Sequence, residues 1–175
     1  RLAADQGNAE SQTELGQMYQ EGKGVPQNYK EAIKWFQLAA EHGGAFAKAF
    51  LAESYEKGNG VPQDDKEALK WWRLAAEQGE DFAQYNLGLK YRYGDGVPQD
   101  SKEAVKWYRL AAKQGNADAQ NILGEMYHCG DGVPQDSKEA VMWWRRAAEQ
   151  GVDKSQEELA LMYYQGLEVR KDYKE

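Results

Sequence analysis

Two histidines, one cysteine and a surplus of carboxylates are the groups in this 175-residue chain that could carry a reaction. A zinc site or a catalytic triad needs partners at set spacings, as in H-E-x-x-H, because the ligands must converge on one point from one helical face. Neither His42 nor His128 has such partners. His42 occupies the slot held elsewhere by Gln78, Gln114 and Gln150, and His128 shares its slot with Gln20, Glu56, Arg92 and Tyr164; both are read as surface residues, and no metal, catalytic residue or cofactor is expected. No isolated pair of Asp or Glu stands out as an acid–base couple. Cys129 lies at a variable position and is expected to be exposed, without a neighbour that would activate its thiol. Gly22 with Gly24, and the matching pairs at 58, 94 and 130, could suggest phosphate cradles. They follow helical patterns rather than strands, so they are read as turns. Trp35, Trp71, Trp72, Trp107, Trp143 and Trp144 could make sugar-binding platforms, but they fall at just two recurring positions and are read as core.

With 22 Lys and Arg against 29 Asp and Glu, the chain carries a net charge of -7. That balance leaves no cationic face to neutralise phosphates, so nucleic acid and anionic lipid are excluded as expected partners, and basic or apolar protein surfaces are favoured. No apolar run approaches the roughly 18 residues that a membrane span requires.

What positions these residues is a repeat. Val25-Pro26 returns as Val61-Pro62, Val97-Pro98 and Val133-Pro134, every 36 residues, and Val169 continues the series with Arg170 in place of proline. Within each period Leu15 and Tyr19, then Leu51 and Tyr55, Leu87 and Tyr91, Leu123 and Tyr127, Leu159 and Tyr163 lie four apart, which places each pair on one face of a first helix. Gly22, Gly58, Gly94, Gly130 and Gly166 are expected to stop that helix. Asn28 with Glu31, Asp64 with Glu67, Asp100 with Glu103 and Asp136 with Glu139 read as capping boxes that open a second helix. One helix pair cannot bury an aromatic stripe as wide as Ala32, Trp35, Phe36, Ala39 and Ala40, so neighbouring pairs must stack. Small residues at 16, 52, 88, 124 and 160 are expected to face Ala40, Ala76, Ala112 and Ala148.

The recurring strings Leu-Gly-x-x-Tyr, Gly-x-Gly-Val-Pro-Gln-Asp, Lys-Glu-Ala-x-x-Trp and Ala-Ala-x-Gln-Gly resemble the bacterial Sel-one-like repeat (SLR), a relative of the tetratricopeptide repeat. The resemblance covers essentially the whole chain. It implies an all-α fold, a right-handed αα superhelix of 36-residue helix-turn-helix repeats. The expected organisation is one solenoid domain over 1–175. Residues 1–7 end a truncated repeat, 8–43, 44–79, 80–115 and 116–151 are full repeats, and 152–175 is an incomplete fifth. Both ends lack capping repeats, so the chain is expected to be part of a longer array, with any targeting signal outside it. The resemblance also favours a periplasmic or secreted location, with the cytoplasm as the alternative.

Relatives imply adaptor and scaffold roles, with the first helices lining a concave groove. Free slots on that face are then where a partner would be selected. In the first repeat these are Glu10, Thr13, Gln17, Gln20 and Glu21, at helical spacing. The third repeat carries Phe82, Tyr85, Leu89, Arg92 and Tyr93 there, aromatics and an arginine of the kind that dominate protein interfaces. Phe46, Asn121, His128 and Tyr164 extend the candidate surface, which is expected to receive a peptide or a partner helix. In the competing reading, Phe46 and Phe82 pack on the preceding repeat. A second function, binding or hydrolysis of β-lactams as in cysteine-rich secreted relatives, is disfavoured because the cysteine pairs of that branch are absent. A third expectation is self-association through the uncapped ends.

Overall fold

The computed structural model describes residues 2–164. Among them every regular element is a helix: α1 (Leu2–Asp5), α2 (Ala9–Glu21), α3 (Tyr29–Glu41), α4 (Ala45–Lys57), α5 (Asp65–Glu77), α6 (Asp81–Tyr93), α7 (Ser101–Lys113), α8 (Ala117–Cys129), α9 (Ser137–Glu149) and α10 (Asp153–Tyr164). The chain forms two compact units, Arg1–Leu87 and Gly88–Glu175. In the N-terminal unit α1 packs on α2, α2 on α3, α3 on α4 and α4 on α5; in the C-terminal unit α7 packs on α8, α8 on α9 and α9 on α10. The fold is an all-helical solenoid of 36-residue repeats. The stop expected at Gly166, and the partial repeat from Val169 to Glu175, lie outside the described residues.

The punctuation follows the sequence closely. Gly22, Gly58 and Gly130 end first helices in the left-handed conformation, at φ of 72°, 70° and 74°. A glycine two residues later is required for a different reason: a Cβ on Gly132 would stand 2.4 Å from the carbonyl oxygen of Ser101, so this turn must lie flat on the start of α7. The second helices begin with Asn28, Asp64, Asp100 and Asp136, whose side chains accept from the backbone N–H three residues on. The reciprocal half of the expected capping box does not form. The N–H groups of those four cap residues donate instead to the carbonyls of Tyr19, Tyr55, Tyr91 and Tyr127, at 2.8–3.0 Å. With that donor already taken, Glu31, Glu67 and Glu103 turn along the helix and pair with Lys34, Lys70 and Lys106.

Phe36, Trp72, Tyr108 and Trp144 occupy one repeat position and are the largest fully buried side chains. The neighbouring position is different. Trp143 is buried, but Trp35, Trp71 and Trp107 are only half-buried, and the indole N–H groups of Trp71, Trp107 and Trp143 meet no acceptor among the described residues. One tryptophan position is therefore core and the other is seam.

The small first-helix residues also face something other than the expected alanines. A Cβ on Gly16 would lie 2.4 Å from the Phe36 ring, on Gly88 2.7 Å from Tyr108, and on Gly124 2.4 Å from Trp144. The ring of each repeat's own second helix fills the notch, because only a large flat side chain reaches across the pair.

Between repeats runs an amide ladder. Gln12, Gln84 and Gln120 are buried, and each donates Nε2 to a carbonyl in the last turn of the preceding second helix: Ala4, Ala76 and Ala112, at 2.9–3.1 Å. At these helix ends the N–H groups of Gly7, Gly79 and Gly115 reach the same carbonyls at 3.0–3.1 Å, and the glutamine side chains add a second donor to each. His42 belongs to this ladder, its Nδ1 2.9 Å from Gln12 Oε1, and Gln150 meets Gln120 in the same way at 2.8 Å.

Candidate functional site

The first helices carry the candidate positions, and the two units are best taken in turn. In the N-terminal unit the slot at 13, 49 and 85 is not free: Thr13 and Ala49 are buried and Tyr85 is half-buried. Each lies three residues before the small-residue notch on its helix. Phe46 and Phe82 differ from one another. The Phe82 ring sits edge-on to Trp72 of the preceding repeat at 5.6 Å while keeping 46% of its surface. Phe46 is 62% exposed, because the ring it would pack on by analogy, Phe36, is already stacked against Phe50 at 5.0 Å and 14°.

In the C-terminal unit Leu89 is half-buried and Tyr93 is 67% exposed. Arg92 is largely covered. Its guanidinium lies 3.6 Å from Glu125 and 3.7 Å from Asp131, and rests beside the Tyr93 ring at 5.7 Å. Lys154 reaches the same Glu125 carboxylate at 2.5 Å, and that hydrogen bond holds its ammonium above the ordinary lysine pKa. Asn121 is buried, accepting from Ser155 Oγ at 2.7 Å and donating to Glu125 at 3.3 Å. His128 is half-buried rather than a surface residue, its ring 5.4 Å from Trp144. The ring that fills the Gly124 notch forms the floor beneath it. Tyr164 is 90% exposed. Cys129 is free and exposed.

Two further features were missed in the sequence. Glu80 precedes α6 at a position where other first helices have Asn8 or Asn116, and its carboxylate accepts from the Ala83 N–H. It is buried, and burial, with help from Asp81, lifts its carboxyl above the ordinary glutamate value of 4.5 despite that hydrogen bond. The charged form is therefore the one the fold penalises. Stability from this group is complete below the ordinary value and is lost as pH rises through the raised one. Glu80→Gln keeps an acceptor for Ala83 and is expected to raise Tm at neutral pH, with the gain fading as pH falls to about 4. Melting curves of the two proteins between about pH 4 and 8 check this; a constant difference would refute it.

The second is an open depression of about 530 Å³ between α2 and α4, lined by Glu10, Thr13, Glu14 and Gln17 on one side and by Ala45, Phe46 and Phe50 on the other. Gly44 opens α4 without a side-chain cap. Among the described residues no cluster of three or more His, Cys, Asp or Glu could hold a metal ion, and no helix is long and apolar enough to cross a membrane.

The Sel1 repeat pattern matches residues 9–44, 45–80, 81–116, 117–152 and 153–175. A protective antigen of uropathogenic Escherichia coli strains with an SLR fold superimposes with a TM-score of 0.88 at 42% identity, over 94% of this chain and 35% of that one. A Sel1 repeat protein from Oxalobacter formigenes gives 0.88 at 42% identity, over 91% of this chain and 46% of that one. Helicobacter pylori cysteine rich protein B gives 0.60 at 25% identity, over 76% and 96%. The chain thus spans between a third and a half of the first two relatives. No curated protein matches it. Five consecutive matches account for its 36-residue period, its helix pairs and its glycine stops, and the chain belongs to the Sel1 repeat family.

Proposed function

We propose that this chain is a protein-interaction scaffold, and that the groove lined by its first helices receives a peptide or a partner helix. Sel1 repeats are protein-interaction modules, which supports the general role. The observation that carries the finer reading is the exposure of large apolar side chains on the first helices: Phe46, Phe82, Tyr93, Leu161 and Tyr164 keep between 46% and 90% of their surface. Solvent-facing rings beside half-buried ones provide apolar area that association can bury, on residue types that dominate interface energetics. Tyr85, Leu89, Arg92, Asn121 and His128 then act from beneath, setting the position of what is exposed.

Arg92 holds Glu125 and Asp131, so its truncation would disturb packing as well as recognition. Phe82→Ser with Tyr93→Ser, both on α6, is the cleaner test. Affinity purification from the native cell with wild type and this double variant is expected to recover a defined partner only with wild type, and the purified partner is expected to bind the variant more weakly by about 2 to 4 kcal/mol with helicity unchanged. Equal affinity would exclude this face.

A further inference from the structure

The depression between α2 and α4 has a chemistry that identifies its occupant more narrowly, and we propose that it seats a partner segment in which an aromatic or aliphatic anchor is flanked by lysine or arginine. The inference rests on the scaffold reading and adds to it the location and the class of partner. Its floor is apolar: Phe50 lies stacked on the buried Phe36, and Phe46 stands beside it with 62% of its surface in solvent. Its rim is acidic. Glu10 and Glu14 face the depression from α2, both exposed, and neither has a hydrogen-bonding or ion-pairing partner among the described residues, whereas Glu21 and Glu53 are taken by Lys23 and Lys57. The net charge of -7 adds a long-range field of the same sign.

The C-terminal unit shows how the chain satisfies such a face when it supplies the cation itself. Lys154 stands three repeats on from Phe46, and its ammonium rests on Glu125, the residue three repeats on from Gln17. In the N-terminal unit the equivalent place holds a ring and the carboxylates lie open, so the cation and the apolar anchor must both come from outside. A cation brought beside a carboxylate at the edge of an apolar surface gains more than one in open solvent, and the ring contributes buried area.

The test is a selection from a random dodecapeptide phage library on the immobilised chain, run in parallel on Phe46→Asp and on Glu10→Lys/Glu14→Lys. All three substituted side chains are exposed, so circular dichroism and Tm are expected to be unchanged; Glu10→Gln/Glu14→Gln replaces the reversal if it destabilises the fold. Clones that place Lys or Arg within a few residues of Phe, Trp or Leu are expected to dominate on wild type. As synthetic peptides they are expected to lose about tenfold or more in affinity on either variant. Affinity should also fall as NaCl rises from about 50 to about 500 mM. Clones that bind wild type and variants alike would overturn the site while leaving the scaffold reading intact, since binding would then lie elsewhere on the chain. Enrichment of acidic clones, or none over the naive library, would overturn the proposed chemistry. Light scattering that shows wild type alone associating with itself would assign the depression to a second copy and equally overturn it. The scaffold reading stands or falls separately, on the purification with the α6 variant.

Discussion

Leucine in place of Gly124 is expected to unfold the C-terminal unit well below the melting temperature of the wild type. A Cβ at this position would already stand 2.4 Å from Cδ1 and Nε1 of Trp144, and Trp144 retains only 1% of its surface, so the ring has nowhere to retreat. Overpacking of a well-filled core costs about 1 to 3 kcal/mol, and three further carbons beyond a contact this short place leucine at or above the top of that range. For a unit of this size such a loss corresponds to a fall in Tm of roughly 10 °C or more. The second repeat shows what a smaller change requires. There Ala52 occupies the same position, fully buried, with Trp72 opposite, and the Trp72 indole N–H donates to Glu56 at 3.3 Å. In the fourth repeat the residue matching Glu56 is His128, and the Trp144 indole N–H has no acceptor among the described residues. Gly124→Ala is therefore expected to cost less than leucine, about 1 to 2 kcal/mol. Adding His128→Glu should recover part of that loss by rebuilding the arrangement of the second repeat. Denaturant titrations of the four proteins, followed by circular dichroism, decide the matter. A leucine variant as stable as wild type, or no recovery in the alanine–glutamate pair, would mean that the ring moves more freely than its burial implies.

The contrast between these two repeats shows why the architecture was legible in the sequence while much of the candidate surface was not. A period of 36 with glycine after each first helix and Asn or Asp before each second helix is repeated information: each recurrence restates the same local rule, and the helix pairs follow. Which residue sits against which neighbour is not restated. Gly16 and Ala40 both recur as small positions, so they appeared to face one another, yet Phe36 fills the space at Gly16. Thr13, Ala49 and Asn121 vary from repeat to repeat and read as free, yet all three are buried. Variation there records different ways of filling a seam: a methyl at 49, and at 121 an amide that takes up the Ser155 hydroxyl. A variable position is free only if no neighbouring helix covers it, and coverage depends on the third dimension. Phe46 illustrates the limit. Its exposure follows from Phe50 having taken Phe36, a competition between two rings on one helix that no repeat pattern encodes.

The amide ladder carries a sharper consequence, because it places buried side-chain amides at the junctions between repeats. Gln120 retains 4% of its surface and is occupied at both ends, donating Nε2 to Ala112 at the end of α7 and accepting from Gln150 at the end of α9. It links the repeat behind it to its own second helix. Gln120→Leu preserves most of the volume and adds apolar surface, so a purely hydrophobic account predicts a neutral or stabilising change. The hydrogen-bond account predicts the opposite. The Ala112 carbonyl would keep the Gly115 N–H at 3.1 Å but lose its second, side-chain donor, at a cost of about 0.5 to 1.5 kcal/mol. Gln150 is exposed and can turn to solvent, so its loss is small. A net destabilisation of about 1 kcal/mol is expected, and the location of the change is as telling as its size. In a stack held by nearest-neighbour interfaces, loosening one junction lowers the free energy of local opening there before it lowers the global value. Amide hydrogen exchange is expected to speed up in the last turn of α7 and the first turn of α8, while the N-terminal unit keeps its protection. A leucine variant with unchanged exchange at those turns would show that the glutamines follow the stacking of the repeats without contributing to it.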